Sequence, residues 1–287
     1  MHQEGRQMKR HSKIILAVMA GLALAGAGVV AAHEHEGHEG PWGHHMMMAK
    51  RLDKALDAVK ATPAQKQAIE AARDHVIATI QEVHKDKSGT MQQALDLFAA
   101  DRIDQAKLSA LRAQHQADAQ KIGDSIVVAV QTTHDALTSA QRQQLVAYLK
   151  ANKPMPQMHE RHQGLMKQAV SVHVDDMLDK LQASDTQRKT IHTAVDKALA
   201  TIEQNQQDHA AAFEQGLTIF AADKMDQQKI AAFRAQREAA HQKAGDAIVA
   251  AIQTVHDTLT PAQRQQLVSF VKEHHGHGRP GMFQHQR

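Results

Sequence analysis

The sequence predicts an all-α protein of two tandem units. Each unit is a long antiparallel helical hairpin with short flanking helices, and the two together form a pseudo-dimeric cradle. Three observations carry this reading. Aromatics make up only 3% of 287 residues and Gly and Pro are sparse, while Ala, Gln, Leu, Asp and Lys dominate, a mix that favours helices over strands. Apolar residues recur at steps of three or four over long stretches. The stretch 134–146, His-Asp-Ala-Leu-Thr-Ser-Ala-Gln-Arg-Gln-Gln-Leu-Val, returns almost unchanged at 256–268.

That return is part of a larger one. Residues 62–150 align with 184–272 without a gap, and close to half of the paired positions are identical. Two copies are too few for a solenoid. They match a homodimer fused into one chain, with a homo-oligomer of such chains as the alternative.

Residues 1–32 form the first segment. Lys9, Arg10 and Lys13 precede an apolar run from Ile14 to Ala32, and Val30-Ala31-Ala32 fits a small-residue cleavage site. This reads as a secretory signal peptide, with retention as an uncleaved membrane anchor the weaker alternative. Residues 33–48 read as a His- and Met-rich flexible tail, because Gly, Pro and charge leave no apolar period. Repeat 1 spans 49–152. Residues 153–166, with Pro154 and Pro156, form a linker, repeat 2 spans 167–273, and 274–287 is a second His-rich tail.

Within each repeat the elements follow from caps and periodicity. Leu52, Ala55, Leu56 and Val59 give a short first helix. Thr62 and Gln65 form a capping box: the hydroxyl accepts from an early helical amide and the Gln reaches back to the cap. Pro63 sits at the first helical position, where its missing N–H costs nothing. A single helix then runs through Ile69, Val76, Ile80, Met91 and Phe98 to a turn at 99–103, with Lys87 at its middle. Asp104 caps the return helix, whose stripe includes Leu111, His115, Ile122 and Ile126. Leu137, Thr138 and Gln141 end it and start the last helix. The second copy repeats this with Ser184, Gln187, Asp226, Leu259, Thr260 and Gln263. Folding each hairpin at its turn sets Val76 against Ile126, Lys87 against His115, and His209 against Arg237. His134 and His256, just before the caps, suit a helix C-terminus, where the dipole favours a cation.

Several function classes are excluded. The chain has no Cys, so disulfide and thiol chemistry are absent. No phosphate-binding Gly-rich loop, Gly-x-Ser-x-Gly or His-Glu-x-x-His occurs, and no enzyme is expected. The formal charge of +3 comes from the leader: without Arg6, Lys9, Arg10, Lys13 and Glu4, basic and acidic residues are equal in number. Nucleic-acid binding, which needs a net basic surface, is not expected, nor is membrane contact after cleavage.

Leu137-Thr138-x-x-Gln141 and Leu259-Thr260-x-x-Gln263, with the weaker Thr62-x-x-Gln65 and Ser184-x-x-Gln187, resemble the signature of the Spy/CpxP family. So does the order of signal peptide, tail, short helix, cap, long hairpin, cap and last helix. The chain departs from the family in carrying two copies, and in having Ala61 and Ala183 where Leu precedes the early caps. The resemblance implies a periplasmic, ATP-independent chaperone of the envelope-stress response that holds unfolded or misfolded proteins. It also implies a sensor kinase as a further partner, and heavy-metal sensing or buffering as the alternative function. No cofactor is required.

The metal alternative has its own residues. All His but His2 and His11 lie after the leader, and many cluster with Met. The candidate ligands are His33, His35, His38, His44, His45, Met46, Met47 and Met48; Met158, His159 and His162; and His274, His275 and His277. Imidazole suits Zn, Ni and Cu(II), and thioether suits Cu(I). Their spacing is not that of a fixed zinc site.

Overall fold

The computed structural model describes residues 41–152 and 156–275, with the side chains of 41–49, 87, 156–166, 206–207 and 274–275 outside the description. Repeat 1 comprises α1 (Pro41–Ala58), α2 (Pro63–Val83), α3 (Lys87–Ala99), α4 (Gln105–Ala136) and α5 (Ser139–Ala151). Repeat 2 comprises α6 (Pro156–Lys180), α7 (Asp185–Ala221), α8 (Gln227–Thr258) and α9 (Pro261–His275). No strand occurs among the described residues. The fold is all-α, as its composition dictates.

Within each repeat the long helices pair antiparallel, α2 with α4 and α7 with α8. The two repeats then exchange their hairpin tips. α3 packs on α9 of the other repeat, and α5 packs on α7. The cores follow the same exchange. Leu95 and Phe98 of α3 are buried with Val174, Leu178, Ile191, Leu259 and Leu267 of repeat 2. Phe220 of α7 is buried with Leu56, Val59, Ile69, Leu137 and Leu145 of repeat 1. Burying a Phe or Leu side chain is worth roughly 1.5–3 kcal/mol, so these end cores bind the repeats to one another as well as to themselves. The chain is a pseudo-dimer.

Between the ends, α4 and α8 run antiparallel across the pseudo-twofold. Arg112 pairs with Asp246, and its twin Arg234 pairs with Asp124. Gln116 and Gln120 both donate to Glu238, at 3.0 and 3.3 Å. This middle seam is polar, in contrast to the apolar ends.

The single long helix expected over 63–98 is broken in repeat 1 and continuous in repeat 2. α2 ends at Val83, and Asp86 caps α3 by accepting from the Gly89 amide at 3.2 Å. The cause lies in three residues. Ser88-Gly89-Thr90 stands where repeat 2 has Ala210-Ala211-Ala212. Gly costs a helix about 1 kcal/mol relative to Ala, and Ser and Thr cost lesser amounts. A Cβ at Gly89 would meet the Asp86 carboxylate, which would have to shift from its present place.

The two hairpins also bury different faces. Ile126, expected to face Val76 in the core, is 45% exposed, and Thr79 and Ser125 are buried instead. Its twin Ile248 is 5% exposed and packs with Ala198 and Ala251. The helices also reach further than the sequence suggested. α1 begins at Pro41, inside the segment read as tail, and α6 at Pro156, inside the segment read as linker.

Candidate functional site

The repeated motif builds two equivalent nodes, one in each repeat. All four capping boxes form. Gln65, Gln141, Gln187 and Gln263 each donate a backbone N–H to the cap hydroxyl at 3.3 Å. Their side-chain oxygens in turn accept from the cap amides at 2.8–3.0 Å. The other half of each amide does something the sequence alone did not disclose. Gln65 Nε2 donates to Gln141 Oε1 at 2.9 Å, and Gln141 Nε2 donates back to Gln65 Oε1 at 3.0 Å. Gln65 Nε2 also donates to the Ala136 carbonyl, which ends α4, at 2.8 Å. Gln187, Gln263 and Thr258 repeat this arrangement. The early and late caps of a repeat are thus joined into one clamp.

The approach to each clamp is an αL turn. Lys60 and Gln182 have φ of 51° and 50°. Ala61 N–H bonds to Leu56 O and Lys60 N–H to Asp57 O, both at 3.0 Å, which is the Schellman pattern. Ala183 and Gln182 repeat it on Leu178 and Asp179. Ala61 and Ala183 therefore serve as the small apolar residues that close these turns against the core.

Next to each clamp sits a receptor for the other repeat's tip. His134 and His256 are 4% and 2% exposed. His134 Nε2 lies 2.9 Å from the carbonyl oxygen of Ala222, at the tip of the second hairpin, and His256 Nε2 lies 2.9 Å from that of Ala100 at the first. Each ring also meets a tip phenylalanine edge-on, Phe220 at 5.9 Å and Phe98 at 5.7 Å between centroids. The other ring nitrogens contact Asp135 and Asp257. Asp135 titrates below the usual carboxylate range because Gln131, and then His134, hydrogen-bond to it. The histidines are structural, as expected, but by docking the partner repeat more than by answering a helix dipole.

Two arginines complete the receptor. Buried Arg142 donates to the carbonyls of Leu137 and His134 at 2.8 and 3.3 Å and reaches Asp223 of the opposite tip at 3.7 Å. Arg264 does the same with Leu259, His256 and Asp101. In the sequence the histidines read only as helix-end residues and the arginines only as part of the repeat; what the histidines bind is 88 and 156 residues away.

With this geometry in place, comparison with known families is decisive. A family model described as LTXXQ motif family protein matches twice, over residues 47–149 and 169–270. The chain belongs to the LTXXQ motif family. The two matches coincide with the two repeats, so the duplication is one of whole family units. The LTXXQ family is a non-enzymatic one of helical, typically periplasmic proteins, and Spy and CpxP are of this kind. No curated protein and no solved structure matches the chain. No helix among the described residues is long and apolar enough to cross a membrane.

The candidate metal ligands fall at the margins of the structure. His33, His35, His38 and His277 lie outside the described residues. His44, His45, Met46, Met47 and Met48 are on α1, Met158, His159 and His162 on α6, and His274 and His275 on α9, all with side chains outside the description. Among the described residues, no group of three or more His, Cys, Asp or Glu is placed to hold a metal ion.

The remaining candidate surface is apolar. Ile126 and Val130 lie one turn apart on α4, and Val128, Val172 and Phe213 are also exposed. Ion pairs flank the α4 residues: Lys121 with Glu82 at 2.9 Å, and Asp124 with Arg234.

Proposed function

We propose that this LTXXQ protein is an ATP-independent periplasmic chaperone of the envelope-stress class, holding unfolded or misfolded proteins on apolar faces that its hairpins leave at the surface. Membership of the family supports the coarser part, an envelope-stress role. The observation that carries the finer part is the exposure of Ile126 and Val130 beside charged pairs. Covering the part of such a side chain that remains exposed is worth about 1 kcal/mol. A few of them hold an extended chain weakly, and the client leaves once it buries its own apolar groups. No nucleotide is needed for release.

The test is a pair of substitutions on that face. Ile126→Ser with Val130→Ser should lose most suppression of client aggregation while the melting curve stays in place, because both side chains are already exposed. Unchanged suppression would remove this face from the account.

A second reading is favoured by the three His/Met segments: metal binding as a linked or alternative role, with Zn, Ni or Cu as the ion. Removing 33–48 and 274–287 should then abolish calorimetric binding of these ions. Tight binding that survives would place the site in the helices. A sensor kinase is the further partner that the envelope-stress reading allows, and pull-down of a membrane sensor by the full chain would test it.

A further inference from the structure

The middle of the second hairpin sets two basic side chains against each other. Nη2 of Arg237 on α8 lies 2.7 Å from Nε2 and 3.3 Å from Nδ1 of His209 on α7. One nitrogen this close to both ring nitrogens packs against the ring and lies off either lone pair. The guanidinium keeps its charge, and a neutral imidazole accommodates it. A second proton on the ring sets two cations face to face, and the contact becomes a repulsion.

The surroundings strengthen this response. His241, one turn beyond Arg237 on α8, meets the His209 ring edge-on at 6.4 Å. Burial, then Arg237, then His115 of α4 all disfavour a proton on His241. Of the carboxylates nearby, Asp208 acts on Arg237, while Glu238 is engaged by Gln116 and Gln120 of α4. Protons arriving here add to a layer that already holds a cation.

Repeat 1 carries different residues at these two positions. Lys87, a permanent cation, stands at the position of His209, with His115 at that of Arg237. There, beside the weaker helix formers Ser88-Gly89-Thr90, the helix is broken, and Asp86 caps the new segment. Asp208 occupies the position of Asp86 in repeat 2. We propose that the His209–Arg237 contact is a proton-operated catch. Protonation of His209 releases it, and α7 opens around residues 206–209 toward the broken form of its twin, so that the second hairpin bends in mildly acidic surroundings. This goes beyond the chaperone reading and does not depend on it.

Backbone hydrogen exchange over residues 200–215 of the full chain tests the catch, measured at about pH 8 and about pH 5, which bracket imidazole titration. Rates are corrected for intrinsic exchange. Wild-type protection should fall about tenfold or more at the lower pH, the factor given by one unit of pKa difference. His209→Gln retains an acceptor and cannot titrate, so it should stay protected at both. His209→Lys should be open at both. Equal wild-type protection at the two pH values, or a Gln variant that loses protection as the wild type does, would overturn the proposal.

Discussion

Gln65 and Gln141 bond to each other twice, amide to amide, across 76 residues of sequence. Each also closes a capping box and reaches a backbone carbonyl on a neighbouring helix end. One side chain thus satisfies its own helix start and fixes where another helix stops. Nothing in this chemistry is catalytic. It sets the angle between hairpin and flanking helices, and so places the receptor for the other repeat's tip.

Gln141→Ala should therefore cost more than a cap alone. Losing a partly buried hydrogen-bonded partner costs about 1–3 kcal/mol. Adding Gln65→Ala should cost less than its single effect, because the pair acts as a unit. Urea unfolding of the four proteins of this cycle measures the coupling; strict additivity would mean the two amides act independently.

Phe98 and His256 make the equivalent point between repeats. Phe98→Ala should cost about 3–5 kcal/mol, the usual loss for a buried Phe, although its receptor lies in the other repeat. A chain of 49–152 alone should dimerise, placing each tip carbonyl of Ala100 against His134 of its partner copy. Sedimentation reads the result, and a folded monomer would show that the exchange of tips is not required.

Lys60 and Gln182 hold left-handed backbone that costs a non-glycine residue about 1–2 kcal/mol. Lys60→Gly and Gln182→Gly should each raise stability by about 1 kcal/mol, offset in part by the entropy of glycine in the unfolded chain. Thermal melts decide, and a loss of stability would mean that these side chains make contacts worth more than the strain.

His241 sets an acid dependence of known sign. Burial, followed by Arg237 and His115, lowers its folded pKa below the ordinary imidazole value. The unfolded chain then binds the proton more readily, so stability is complete above about pH 6.5 and falls as pH drops toward the folded value. His241→Ala, the residue found at the twin position 119, should flatten this part of the profile. An unchanged slope of melting temperature against pH would remove His241 from the acid response.

The helices and their caps were legible in the sequence because cap chemistry is local: Thr or Ser, three residues, then Gln. The hairpin partners were legible where the register is simple, and His209 does face Arg237. The break at 84–86 was missed because the three-and-four spacing runs on through it, with Lys87 taking one place, though Asp86 and Gly89 marked a cap. Ile126, on the facing helix of the same hairpin, lies outside the core. The tip exchange was beyond reach, because Phe98 and Phe220 continue their own hairpin stripes and only the three-dimensional path shows which repeat buries them. The His/Met segments remain a sequence observation, since their side chains lie outside the described residues.

The central claim is that one chain, a fused pair of LTXXQ units, holds unfolded proteins without ATP. Its most direct measurement is suppression of aggregation of an unfolding client by residues 33–287, without nucleotide, in chelator and then with added zinc, nickel or copper. The account predicts suppression at about equimolar chain in chelator, with metal altering its extent. No suppression in either condition, at severalfold excess of the chain over client, would contradict it.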